Sequence, residues 1–209
     1  MPYIYNCAQC QTPCDGVTLG VYNFANDVEF SEHYENLLIT AFNNQGFHAK
    51  KTERDGYPDI ELYDQEDHLL RYIEVKVQRR SFMRVSQLLP QADLVPSETV
   101  ALNLSDLLRY FEISHREPVP VFILWVLSER PCILGPGGEP KLFIQNVQTL
   151  EPIYRHYGDQ RRFRRRSGRG DVVNGVHRGV VVNYHFSLQE LHPFRLELYT
   201  PDRELPPEG

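Results

Sequence analysis

The stretch PDIELYDQEDHLLRYIEVKVQ, residues 58–78, decides the fold. From Pro58 to Asp64, Ile60 and Leu62 alternate with Asp59, Glu61 and Tyr63. From Leu70 to Gln78, Ile73, Val75 and Val77 alternate with Tyr72, Glu74, Lys76 and Gln78. A period of two is the signature of a strand with one apolar and one polar face. Gln65 to His68 is a short polar turn, so the two strands predict an antiparallel hairpin. On that hairpin Asp59 and Glu74 lie on the polar face, and Lys76 projects from the same side as Glu74. Two carboxylates and an ammonium are thereby expected to converge on one small area.

Upstream, Ser31 is a suitable N-cap, and Glu32 and Glu35 favour the positive end of a helix. Tyr34, Leu37, Leu38, Ala41 and Phe42 recur at helical spacing and Gly46 follows, which predicts a helix over 31–45. Phe47 to Thr52 reads as a first strand and Asp55-Gly56 as a turn. Residues 17–30 contain a short candidate strand, and residues 1–16 are irregular. Downstream, 79–104 is mixed, and Ser105 to Ser114 predicts a second helix capped by Ser105. Val121 to Leu127 is continuously apolar, as in a central strand buried on both faces, with Trp125 in the core. Beyond it come a loop at 136–138, a strand at 141–145 and a helix at 146–157 broken near Pro152. An Arg-rich segment, 155–170, whose part from 158 is expected as an exposed, mobile loop, a strand at 180–186 and a proline-rich acidic tail from 201 close the chain. The order is helix, three strands, helix, strand, which predicts a mixed α/β domain with an antiparallel hairpin in its sheet. The expected division is an extension over 1–30, one domain over 31–200 and a tail over 201–209.

A close pair of carboxylates is electrostatically unfavourable unless something offsets it. A divalent cation does so, and two carboxylates with water and a phosphate oxygen suit the octahedral preference of Mg²⁺. Lys76 would then orient water or offset charge on a pentavalent phosphorus. The bland alternative is a solvated strand face with a cross-strand ion pair, which stabilises little.

Pro58-Asp59 followed by Glu74-Val75-Lys76 resembles the signature of the PD-(D/E)xK nuclease superfamily, also called the restriction-endonuclease-like fold. The resemblance spans about residues 31–127. It implies a Mg²⁺-dependent DNA endonuclease, with Mn²⁺ as a substitute, leaving 5′-phosphate and 3′-hydroxyl ends. It implies that Asp59 and Glu74 hold the metal with the Val75 carbonyl, and that Lys76 positions the nucleophile. It further implies a role for an acid on the first helix, Glu35 before Glu32, and for Gln78 in orienting water or phosphate. A double-strand cutter of this kind would need a homodimer. The rival reading is the same fold as a catalytically weak or inactive module, binding nucleic acid or protein in a defence or mobile-element system.

Length and charge bound these readings. The 209 residues suffice for one sizeable domain. The net charge of −6 disfavours a nucleic-acid partner on average. Locally, residues 155–169 hold seven arginines against Asp159, a +6 window that leaves −12 elsewhere. Arginine forks onto phosphates in bidentate fashion. Arg161, Arg162, Arg164, Arg165, Arg166 and Arg169, with Phe163 for base stacking, are therefore expected at DNA, alongside Arg79, Arg80 and Arg84. Cys7, Cys10 and Cys14 form C-x2-C-x3-C, half of a Zn²⁺ site without a second pair to close it. The eight histidines form no paired ligand motif, and His48 is the one nearest the first strand. No apolar run is long enough to span a membrane, and no export signal is evident, so a cytoplasmic location is expected.

Overall fold

Alternation in 58–78 folds as expected in the computed structural model, which describes residues 24–79, 81–82, 84–135, 138–164, 172–173, 176–177 and 182–196. Strand β2 (Ile60–Tyr63) pairs antiparallel with β3 (Leu69–Gln78), and Ile60 faces Ile73. On the outer side β1 (His48–Lys51) pairs antiparallel with β2. On the inner side β3 runs parallel to β5 (Val121–Leu127). A parallel neighbour requires a crossover. It is supplied by α2 (Val85–Leu88), β4 (Thr99–Asn103) and α3 (Leu104–Arg116). Beyond β5 come α4 (Pro131–Leu134), β6 (Lys141–Asn146) and α5 (Val147–Tyr157). The main sheet is ordered β1-β2-β3-β5-β6-β11, with β11 at His192–Phe194. A second sheet is ordered β4-β10-β7, with β7 at Arg162–Arg164 and β10 at Val182–Ser187. The two-residue strands β8 (Val172–Val173) and β9 (Val176–His177) pair with each other.

The period of two sorts side chains onto two cores. Ile60, Leu62, Ile73 and Val75 pack with Leu38 and Phe42 of α1 (Phe24–Asn44). On the opposite face Tyr72, Ile123 and Trp125 pack with Leu107 and Phe111 of α3, Leu150 of α5, and Tyr184 and Phe186 of β10. Trp125 is fully buried, as its apolar run predicts.

Helix α1 starts at Phe24, seven residues before the expected cap, so Ser31 lies inside it. Phe30 and Tyr34, one turn apart, meet edge-on at 5.2 Å and carry the helix back past Ser31. It thereby runs into the expected 1–30 extension. Strand β4 went unread because TVALN is short and its partner β10 lies some 80 residues downstream. Helix α3 is capped by the Asn103 side chain, which accepts from the Ser105 N–H at 3.2 Å, rather than by Ser105. Helix α5 continues through Pro152 because Val147 and Leu150 are anchored in the core, and Gly158 ends it at φ +47°. Within the expected loop, residues 158–164 instead form a 3-10 turn over Gly158–Arg161 and then β7. The candidate strand at 17–22, the Pro136-Gly137 turn and the tail from 201 lie outside the described residues. None of the described helices is long and apolar enough to cross a membrane.

Candidate active site

Strand register builds the site. Lys51 pairs with Ile60, and the Thr52 N–H donates to the Asp59 carbonyl at 2.9 Å. Ile60 pairs with Ile73, so the next positions across the sheet are Asp59 and Glu74. Thr52, Asp59 and Glu74 thus form a row at one end of the sheet. The loop before Asp59 is clamped to α3. Gly56 adopts φ +77°, and a Cβ there would meet the Arg109 Cδ at 3.4 Å. The Arg54 guanidinium stacks on the Tyr57 ring at 3.7 Å and hydrogen-bonds the Tyr72 hydroxyl. The Tyr57 hydroxyl donates to Glu117 Oε1 at 2.6 Å.

Asp59 Oδ2 accepts from the Val75 N–H at 2.8 Å. Burial pushes its carboxyl up to about 7, and the negative charge of Glu74 adds to that. Lys76 and the Val75 N–H oppose the shift, and Glu35 adds a smaller push upward. Glu74 is buried, and its Oε1 contacts the Lys76 ammonium directly. Burial works against the Lys76 ammonium, yet Glu74, Asp59 and Asp106 outweigh it and hold its pKa above the ordinary value. Burial and then Glu74 keep the neighbouring Tyr110 hydroxyl neutral. Asp59, Glu74 and Lys76 therefore meet as expected.

A divalent cation suits this donor set. Glu74 is buried, with Lys76 on its Oε1 and the Tyr110 hydroxyl hydrogen-bonded to the carboxylate, while its Oε2 makes no hydrogen bond of ordinary geometry among the described residues and is open to a further ligand. Burial, and after it the charge of Glu74, raises the Asp59 pKa to about 7, and a cation would offset both. Thr52 Oγ1, in the same row, is also buried without a partner among those residues.

Glu35 is buried on α1 and pairs with Lys51 at 3.1 Å. It does not join Asp59 and Glu74 in one cluster of three ligand groups. Among the described residues, the acids and histidine that do so are Asp64, Glu66 and His68, in the β2–β3 turn. There Asp64 Oδ1 already accepts the Glu66 and His68 N–H groups at 2.9 and 2.8 Å, as a turn cap does. His48 sits beside that turn, 2.6 Å from Asp67.

Several expected residues are used elsewhere. The Gln78 amide donates to the Ala101 carbonyl at 2.6 Å and accepts its N–H at 3.2 Å, tying β3 to β4. Arg79 pairs with Glu129 at 2.7 Å and stacks on Phe30. Arg84 is exposed at the start of α2. Arg161 corrects the expectation of a phosphate contact. It is 2% exposed, grips both Glu190 oxygens at 2.8 Å, and donates to the Ala92 carbonyl. Phe163 packs against the small core of Val85, Leu89, Ala92 and Leu94 rather than presenting itself for base stacking. Arg162 is half-buried against Tyr154 and Asp159, whereas Arg164 is exposed. Arg80, Arg165, Arg166, Arg169, Cys7, Cys10 and Cys14 lie outside the described residues. Lys51, Thr52 and Tyr110 were missed. Lys51 and Thr52 end a strand whose partner sets their neighbours, and Tyr110 reads from sequence as helix core.

No protein-family model matches the chain. No curated protein matches it. Among solved structures it is similar to a Holliday junction resolvase from the archaeal hyperthermophile Archaeoglobus fulgidus. The two are 12% identical with a TM-score of 0.40, over 77% of this chain and 86% of that one. At that degree of overlap the functional reading stands on this chain's own residues.

Proposed function

We propose that the protein is a metal-dependent DNA endonuclease with a restriction-endonuclease-like core and a PD-(D/E)xK site. The observation that carries the reading is the buried Glu74 carboxylate, met by the Lys76 ammonium and the neutral Tyr110 hydroxyl, beside an Asp59 carboxyl that burial and Glu74 push up to about 7. Asp59 and Glu74 would hold Mg²⁺ or Mn²⁺, with the Val75 carbonyl as a further candidate donor. A cation bound there polarises a phosphoryl oxygen and lowers the pKa of water. The Val75 N–H fixes the Asp59 carboxyl, and Glu74 fixes the Lys76 ammonium where it can orient a nucleophile. Because Asp59 titrates at about 7, cation binding and loss of its proton are linked.

Incubation of supercoiled, linear, branched and single-stranded DNA with Mg²⁺ or Mn²⁺, with and without chelator, tests the proposal. Cleavage that the chelator abolishes, and that Lys76→Met lowers at least about 100-fold, supports it. Equal cleavage by Lys76→Met and wild type overturns it. The rival, an inactive DNA-binding module, is favoured by one observation: Gln78 is consumed by Ala101. DNA binding with no metal-dependent cleavage of any of these substrates would support that rival.

A further inference from the structure

We propose that Lys51 holds the place of a second cation, so that the site accepts one divalent ion, between Asp59 and Glu74. This rests on the nuclease-site reading above. Lys51 ends β1 opposite Ile60, and its side chain therefore points to the α1 face, where its ammonium meets Glu35 Oε2 at 3.1 Å. Glu35 is only 10% exposed in its side chain, whereas Lys51 is 57% exposed. The partner of the buried acid is thus an ammonium reaching in from the rim. Glu35 has the strongest hold on that ammonium, and Glu32 and Asp59 also hold it.

Charge and geometry agree. With Asp106 paired to Arg109 and Glu32 exposed to solvent, Glu35, Asp59 and Glu74 bring three negative charges, and Lys51 and Lys76 bring two positive ones. One divalent ion turns the net −1 into +1, which a substrate phosphate offsets. A second would raise it to +3 beside a fixed ammonium. The three carboxylates are also not clustered closely enough to share one ion. Glu35 is left to Lys51, and the assisting role expected of it beside the metal gives way to an ion pair.

Calcium titration of the full-length protein by calorimetry tests this without needing turnover. Wild type and Lys51→Arg are expected to bind one Ca²⁺ per chain. Lys51→Met, which bares the Glu35 carboxylate, is expected to bind two. Lys51→Met combined with Glu35→Gln should return to one. Two ions in wild type, or one in Lys51→Met with native circular dichroism, overturns the proposal. If Lys51→Met does not fold, two ions in Lys51→Arg overturns it and one supports it. An Asp59→Ala arm separates the failures. If that variant still binds calcium as wild type does, or wild type binds none, the Asp59–Glu74 site itself is wrong and the Lys51 proposal falls with it.

Discussion

Asp59 shows how a residue's environment sets both its chemistry and its cost. Its folded pKa of about 7 stands above the ordinary 3.8, so the native state retains a proton that the unfolded chain releases. Stability from this group is therefore lost as pH rises from about 4 through about 7, and the loss is complete above that. The shift corresponds to at most about 4 kcal/mol, less whatever relaxation recovers. In chelator, Asp59→Asn is expected to be more stable than wild type at pH 8.5, with the gap closing towards pH 4. Urea denaturation across that range checks it, and an Asn variant weaker than wild type at pH 8.5 would contradict the assigned strain. The convergence of Asp59, Glu74 and Lys76 was legible because alternation fixes the face on which a strand residue lies. Alternation says nothing of what covers that face. Gln78 shares it, but β4 lies over it and takes its amide.

At the scale of elements, the second sheet holds the expected DNA-binding segment in place. Arg161 is locked between Glu190 and the Ala92 carbonyl, so Arg161→Ala should cost about 3 kcal/mol or more by leaving a carboxylate without its cation. Arg164→Ala, on an exposed side chain of the next strand, should shift stability by less than about 0.5 kcal/mol. Thermal denaturation of the two variants distinguishes anchor from surface; equal melting points would refute the division. His185 of β10 is buried against the Arg161 carbonyl at 3.1 Å, and burial lowers its pKa below 6.5. Its contribution is present above pH 6.5 and is lost as pH falls below that, because the unfolded chain then takes up more protons. Wild type should lose more stability between pH 7 and pH 5 than His185→Gln, as read by denaturant midpoints. The arginine count in 155–169 was legible, but burial was not. Arg161 ends the 3-10 turn and Phe163 lies in β7, and the fold turns both side chains inward, which a count of arginines does not reveal.

For the whole molecule, the helix-and-hairpin half was readable because its contacts are local or between neighbouring strands. In the C-terminal half the strands at 141–145 and 180–186 and the helix at 146–157 were legible but their pairing was not, since β10 pairs with β4 and β7, and β11 pairs with β6, between segments that are not neighbours in sequence. The net charge of −6 is similarly uninformative, because acids gather at the proposed metal site while part of the arginine excess is buried. If Arg164, Arg165 and Arg166 contact phosphates, replacing all three with alanine should reduce the salt dependence of DNA binding. The slope of log affinity against log salt should flatten by up to about 3. An unchanged slope would move the DNA surface elsewhere. The central claim, that Asp59 and Glu74 share one catalytic divalent cation, is tested most directly by nicking of supercoiled plasmid in Mg²⁺ by wild type and Asp59→Asn. The account predicts nicking by wild type and at least about a 100-fold loss in a variant that folds as stably or more so. Equal nicking by both proteins would contradict it.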